Sequence, residues 1–169
     1  MRSLFTIAIA CLLFISCNRH EPLSSQDSVN WEKRAVKTVP ADSLESGSTF
    51  ISVYAQIYVR SLNDQTGLTS TISIHNPNIK DQIYIDKAVC YNTHGEAIRT
   101  YFDQPVYVNP METLQIVIDG LDNEGGTGAN FVFDWRIKST LNEPIMEAIM
   151  ITTSSNQGIS FVTNGKKIK

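Results

Sequence analysis

The chain has 169 residues, room for one domain together with a leader and a linker. Hydrophobic residues make up 42% and charged residues 18%, a balance that excludes an intrinsically disordered chain. A formal net charge of -3 argues against a nucleic-acid binder, which would carry a basic face; Lys166, Lys167 and Lys169 read as a solvated tail.

The first element is an export signal over residues 1–16. Arg2 supplies a positive start, and Leu4 to Ile15 form an apolar run of about a dozen residues, short of the roughly 20 that cross a bilayer. The run closes on Ser16-Cys17, and polar sequence begins at Asn18. Phe14-Ile15-Ser16-Cys17 resembles the lipobox of bacterial lipoproteins, with Phe14 standing where that family usually has Leu. The resemblance implies acylation of Cys17 and an anchor in membrane lipid at the cell envelope. Asn18 lacks the aspartate that retains such proteins at the inner membrane of enteric-type bacteria, so the outer membrane is favoured. With Cys11 removed and Cys17 acylated, Cys90 keeps the one free thiol and no internal disulfide is expected.

Residues 17–48 read as the lipidated cysteine and a flexible tether, rich in Ser, Asp and Glu with Pro22 and Pro40. One or two helical turns are expected around Trp31, with Ser28 as N-cap and Trp31 as a local clasp onto the domain.

From residue 49 to 169 the texture is β. Runs rich in β-branched and aromatic residues predict strands over 50–60, 68–75, 83–91, 97–102, 113–118, 130–138, 145–152 and 158–162. Turn signals separate them, among them Asn63-Asp64, Asn76-Pro77-Asn78, His94-Gly95 and the glycine-rich 120–128 stretch. Phe131, Phe133, Trp135 and Ile137 alternate and predict one inward face of a central strand. The fold expected is an all-β antiparallel sandwich of seven to eight strands, immunoglobulin-like or fibronectin III-like, with a small barrel or jelly roll as the alternative.

A resemblance covers most of residues 50–165. It rests on Val53-Tyr54, Ile57-Tyr58, Thr71-Ile72-Ser73-Ile74-His75-Asn76, the Tyr91 to Gly95 turn and the segment Pro105-Val106 to Pro110. Gly125-Gly126-Thr127-Gly128-Ala129-Asn130-Phe131 with Trp135, residues 144–151, and Gln157-Gly158-Ile159-Ser160-Phe161 complete it. In these the chain resembles the bacterial domain-of-unknown-function family 3124. The resemblance implies an envelope-associated β domain and brings no activity with it.

The most functional-looking piece is the 119–130 loop. Asp119, Asp122, Glu124 and Asn130 carry the hard oxygen donors that calcium takes, without the alternate-position spacing of an EF-hand. The competing structural reading is a tight sandwich loop whose glycines supply positive φ. His20, His75 and His94 show no HxH or HExxH spacing, and no serine sits in a GxSxG elbow. Glu147 interrupts an apolar strand and is expected to face solvent or pair with a cation such as Arg136. No catalytic residue can be assigned. The expectation is a noncatalytic binding or structural module without a required cofactor, presenting the 119–130 and 76–78 loops to an envelope protein or glycan. A calcium-stabilised module and a hydrolase of envelope polymer are the alternatives.

Overall fold

The computed structural model describes residues 29–39, 44–153 and 158–169, so the signal segment and Cys17 lie outside the described residues. A helical turn, α1 (Trp31–Arg34), precedes the strands β1 (Leu44–Ser52), β2 (Gln56–Ser61), β3 (Asp64–Gly67), β4 (Thr69–His75), β5 (Ile83–Tyr91) and β6 (Ala97–Phe102). There follow β7 (Val106–Val108), β8 (Thr113–Ile118), a 3-10 turn at Gly126–Gly128, β9 (Asn130–Lys138), β10 (Ile145–Thr152), β11 (Ile159–Asn164) and β12 (Lys166–Lys167).

All the strand pairs are antiparallel and fall into two main sheets. One runs β12-β1-β9-β5-β6 with β7 also on β5; the other runs β11-β10-β4-β8; β2 and β3 form a separate hairpin. This is a β-sandwich, and neither sheet closes into a barrel. Its apolar interior joins Phe131, Phe133, Trp135 and Ile137 of β9 to Ile72 and Ile74 of β4, Ile116 of β8 and Met150 of β10, all at most 1% exposed. The alternation read along β9 is the inward face of a central strand. Gly47 is required opposite it, because a Cβ there would overlap the Trp135 ring.

Among the described residues twelve strands form where seven to eight were expected, β3, β7 and β12 among the additions, with β12 pairing Lys166 and Lys167, expected as a solvated tail, to β1. The run expected as one strand over 50–60 is two elements, since β1 ends at Ser52 and the backbone turns through Val53–Ala55 into the hairpin. There the Val53 amide bonds the Ala129 carbonyl at 2.9 Å and the Ala55 amide bonds the Gly126 carbonyl at 3.1 Å. Strand β1 also begins at Leu44, inside the stretch expected as tether, because Leu44 to Ser48 find a complete ladder on β9. The segment around Trp31 forms the expected helical turn and is held to the domain. Trp31 is buried against Phe102 with ring centroids 4.6 Å apart, and the Val36 amide bonds Pro105 at 2.8 Å. Asn30, not Ser28, holds the cap position, its side chain accepting from the Lys33 amide at 3.0 Å. The expected clasp of Trp31 onto the domain is what the structure has.

Candidate functional site

The four polar residues singled out in the 119–130 loop do not converge. The Asp119 carboxylate accepts from the Leu121 amide at 2.9 Å and closes its own turn. Asp122, 6% exposed, and Glu124 come together on Arg99 of β6, at 3.0 Å and 2.9 Å. Burial works against the Arg99 charge, but its bonds to Asp122 and Tyr101 outweigh that and raise its pKa above the ordinary arginine value. Asn130 stands apart, opening β9 opposite Ser52 and Tyr91. Among the described residues no three His, Cys, Asp or Glu side chains gather as a metal would need. The glycines serve the loop: Gly126 has φ +68°, and Thr93 ties the turn down by accepting from the Gly128 amide at 2.8 Å and donating to the Gly125 carbonyl at 3.2 Å.

The two loops expected to present a ligand lie at opposite ends of the sandwich. Ser70 of β4 pairs with Ile118 of β8 beside Gly120, whereas His75 pairs with Thr113 beside Asn76, about 20 Å away along the strand. Asn76 is 1% exposed and wholly occupied. Its amide nitrogen donates to the carbonyls of Asp81, Val108 and Asn109 at 2.8, 3.0 and 3.0 Å, and its oxygen accepts from the Asn78 amide. Asn78 in turn bonds the Asn142 backbone at 2.9 Å through both ends of its own amide. This end of the molecule is a structural knot, which removes the pairing of the two loops as one binding surface.

Glu147 does not meet Arg136, which forms a two-pronged bond with Asp86 at 2.7 and 2.8 Å. Glu147 instead lies 3.5 Å from Nε2 of His75, whose Nδ1 is 2.9 Å from the Thr113 hydroxyl. Hydroxyl, imidazole and carboxylate stand in the order of a nucleophilic triad beside a cavity of about 310 Å³. The second link is missing, because Nε2 has no hydrogen-bond partner and 3.5 Å exceeds the range that orients a catalytic imidazole. Cys90 offers no nucleophile either: it is buried, and burial pushes its thiol up to about 12 even though Arg99 pulls the other way.

A different concavity has the features of a binding site. Between the β2–β3 hairpin and the 119–123 loop lies a crevice of about 460 Å³. Gln56, Gln65 and Asn123 bring carboxamides to it, Thr69, Thr152 and Thr153 hydroxyls, and Asp119 the one carboxylate among the described residues. Gly67 and Gly120 set its floor, since a Cβ on Gly67 would overlap the Gly120 carbonyl oxygen. The Asn63-Asp64 turn was the sequence signal for this hairpin, but Gln56 and Gln65 were hidden because their partners across the crevice are more than fifty positions away.

A search of the curated proteins gives no match. Among solved structures, a protein of Thermotoga maritima designated 1070 is similar at 13% identity with a TM-score of 0.42, over 71% of this chain and 92% of that one. That likeness is too distant to transfer anything. A family model described as a protein of unknown function, DUF3124, matches residues 46–168. The match takes in the sandwich from early β1 to the last strand, and the chain therefore belongs to the DUF3124 family.

Proposed function

We propose that this chain is a noncatalytic binding module held at the bacterial cell envelope by lipid on Cys17, and that its crevice takes a neutral, hydroxyl-rich ligand such as an envelope glycan. The observation that carries the reading is the chemistry of the crevice walls: three carboxamides and three hydroxyls against one carboxylate among the described residues. Carboxamides donate and accept at once and so match sugar hydroxyls, which do the same. A volume of about 460 Å³ falls in the range of sites that hold small ligands. Hydrolysis of a glycosidic bond ordinarily uses two carboxyl groups on either side of it, and among the described residues Asp119 is the only acid lining this crevice. The leader and its terminal cysteine supply the address, with two or more acyl chains making detachment negligible.

Cosedimentation with purified peptidoglycan sacculi tests the ligand class. The chain is expected to pellet with the sacculi, and Gln56→Ala combined with Gln65→Ala to weaken binding at least tenfold. Absence of cosedimentation, or equal pelleting of the double variant, overturns the reading. Release of new reducing ends from the sacculi would replace it with the hydrolase.

A further inference from the structure

The end of the sandwich that carries the Asn76 knot is built from three crossovers between the sheets, residues 76–82, 109–112 and 139–144. The knot itself is buried, yet the loops around it hold two large apolar side chains outside the fold: Ile79 is 79% and Met111 66% exposed. They stand on adjoining backbone, since the Met111 amide bonds the Asn78 carbonyl at 3.1 Å. Pro77 and Ile145 line one hollow with Met111, and Pro110 lines another with Lys80, so apolar surface continues around the two prongs. Met111 is also strained. Its φ is +57°, and the Glu112 amide closes the turn on the Asn109 carbonyl at 3.1 Å, with Pro110 second and Met111 third. The third position of such a turn ordinarily falls to glycine or asparagine. Methionine there costs stability, and because the side chain lies mostly outside the fold, packing does not offset the cost.

We infer that Ile79 and Met111 form a tip that enters the interfacial layer of an anionic phospholipid bilayer. Shape is the first reason. Two prongs that protrude from neighbouring loops need a partner that yields around them, as acyl chains do. The charges agree. Asp81, Glu112 and Glu143 meet Lys138, Arg34 and Lys167 at 2.9, 2.6 and 2.6 Å, so these carboxylates are neutralised toward a phosphate headgroup. Lys80, next to Ile79, pairs with no carboxylate among the described residues; it can lay its stem along apolar surface and keep its ammonium at the headgroups. Position is the third reason. Arg34 grips Glu112, the residue after Met111, and Val29, the first described residue, lines a hollow with Glu112 and Thr113. Cys17 lies twelve positions before Val29, no more than about 40 Å of extended chain. Acyl chains on Cys17 and the tip would therefore meet the same bilayer, a step that rests on the anchor reading. The crevice lies at the other end of the strands, so a tip seated in lipid points the crevice away from the bilayer.

Fluorescence quenching by brominated lipid tests the tip, on the full chain reconstituted in vesicles of phosphatidylethanolamine and phosphatidylglycerol. Trp31 and Trp135 are buried, so an introduced indole reports its own surroundings. Ile79→Trp and Met111→Trp are expected to emit at shorter wavelength than in buffer. Each should be quenched at least about twofold more than Leu121→Trp, whose position is 74% exposed at the crevice end. In the Ile79→Trp chain, Met111→Gly should lower the quenching and leave the thermal midpoint unchanged or raised, because glycine takes the left-handed position without strain. Equal quenching at the two ends, or none at positions 79 and 111, overturns the inference. So does a lowered midpoint on Met111→Gly, which would make the methionine a structural residue. The acyl mass on the amino-terminal peptide is read separately. Its absence with the tip quenched removes the anchor and keeps the tip; its presence with the tip unquenched does the reverse.

Discussion

Asn76 shows how much one side chain can hold. Its amide nitrogen donates to three carbonyls in two segments, Asp81 and Val108-Asn109, and its oxygen orients Asn78, with Asn76 itself buried. Asn76→Ala leaves those carbonyls short of partners in a buried setting, at a cost of about 3 kcal/mol. Asn76→Asp, the same shape without the donors, is expected to cost at least as much. Urea unfolding with an unchanged slope checks both, and a midpoint within error of the parent would show that the knot contributes nothing. In the sequence, Asn76-Pro77-Asn78 read only as a turn and a place to seek a ligand. Its donors reach residues 81, 108 and 109, and nothing local in the chain announces such distances. Glu147 is a similar case: the need for a cation or solvent was legible, but His75 rather than Arg136 became its neighbour because β4 and β10 pair in the register Glu147↔Ser73.

Among the elements, β5 illustrates a device that periodicity hides. Ile83 and Ile85 face the core, and so do Ala88 and Cys90, although the spacing between the two sets is odd. A bulge at Asp86-Lys87 absorbs the extra residue and restores the inward face beyond it. The clasp around α1 is held differently, by Trp31 in the core and by Arg34, which grips Glu112 at 2.6 and 3.0 Å and lies 5.5 Å from the Tyr107 ring centre. The hydrogen bonds from Arg34 hold the Glu112 carboxyl below its ordinary value of 4.5, with partial burial working the other way. A depressed folded value stabilises the clasp fully above the ordinary carboxylate range, and that contribution is lost as the pH falls through the lower folded value. The protection of the Val36 amide against exchange should therefore fall below about pH 4.5 in the parent. Glu112→Gln should show the lower protection already at neutral pH and no further step in that window; an acid step of undiminished size in the variant would exclude Glu112 as its source. The clasp would cost about 1 kcal/mol to loosen, the scale of a partly exposed ion pair.

For the whole molecule the decisive prediction concerns the anchor. Cys17→Ser is expected to move the chain from the membrane pellet to the soluble fraction, and the amino-terminal peptide of the parent should carry the mass of its acyl chains. Unchanged sedimentation of the variant would remove the lipid and leave the sandwich without its proposed address. The sandwich stands apart from that question. Its all-β class, most of its strand positions and the inward face of β9 were legible because alternation and turn residues are local properties that each strand carries in its own few residues. The extent of the domain was less so: residues 31–36 and Leu44 to Ser48 look like linker by composition and become structure because the rest of the fold offers them a pocket and a strand edge. By itself, then, the sequence determined the fold class and most of the strand positions, and it carries the expectation of a leader ahead of Cys17. Only the tertiary structure decided that the two suspected loops sit at opposite ends, that Arg99 takes up the loop carboxylates, and that Glu147 meets His75. The physical reason is that these outcomes depend on register and on which loop abuts which, energies of contact between residues far apart in the chain, whereas strand propensity and turn chemistry are read within about a dozen residues.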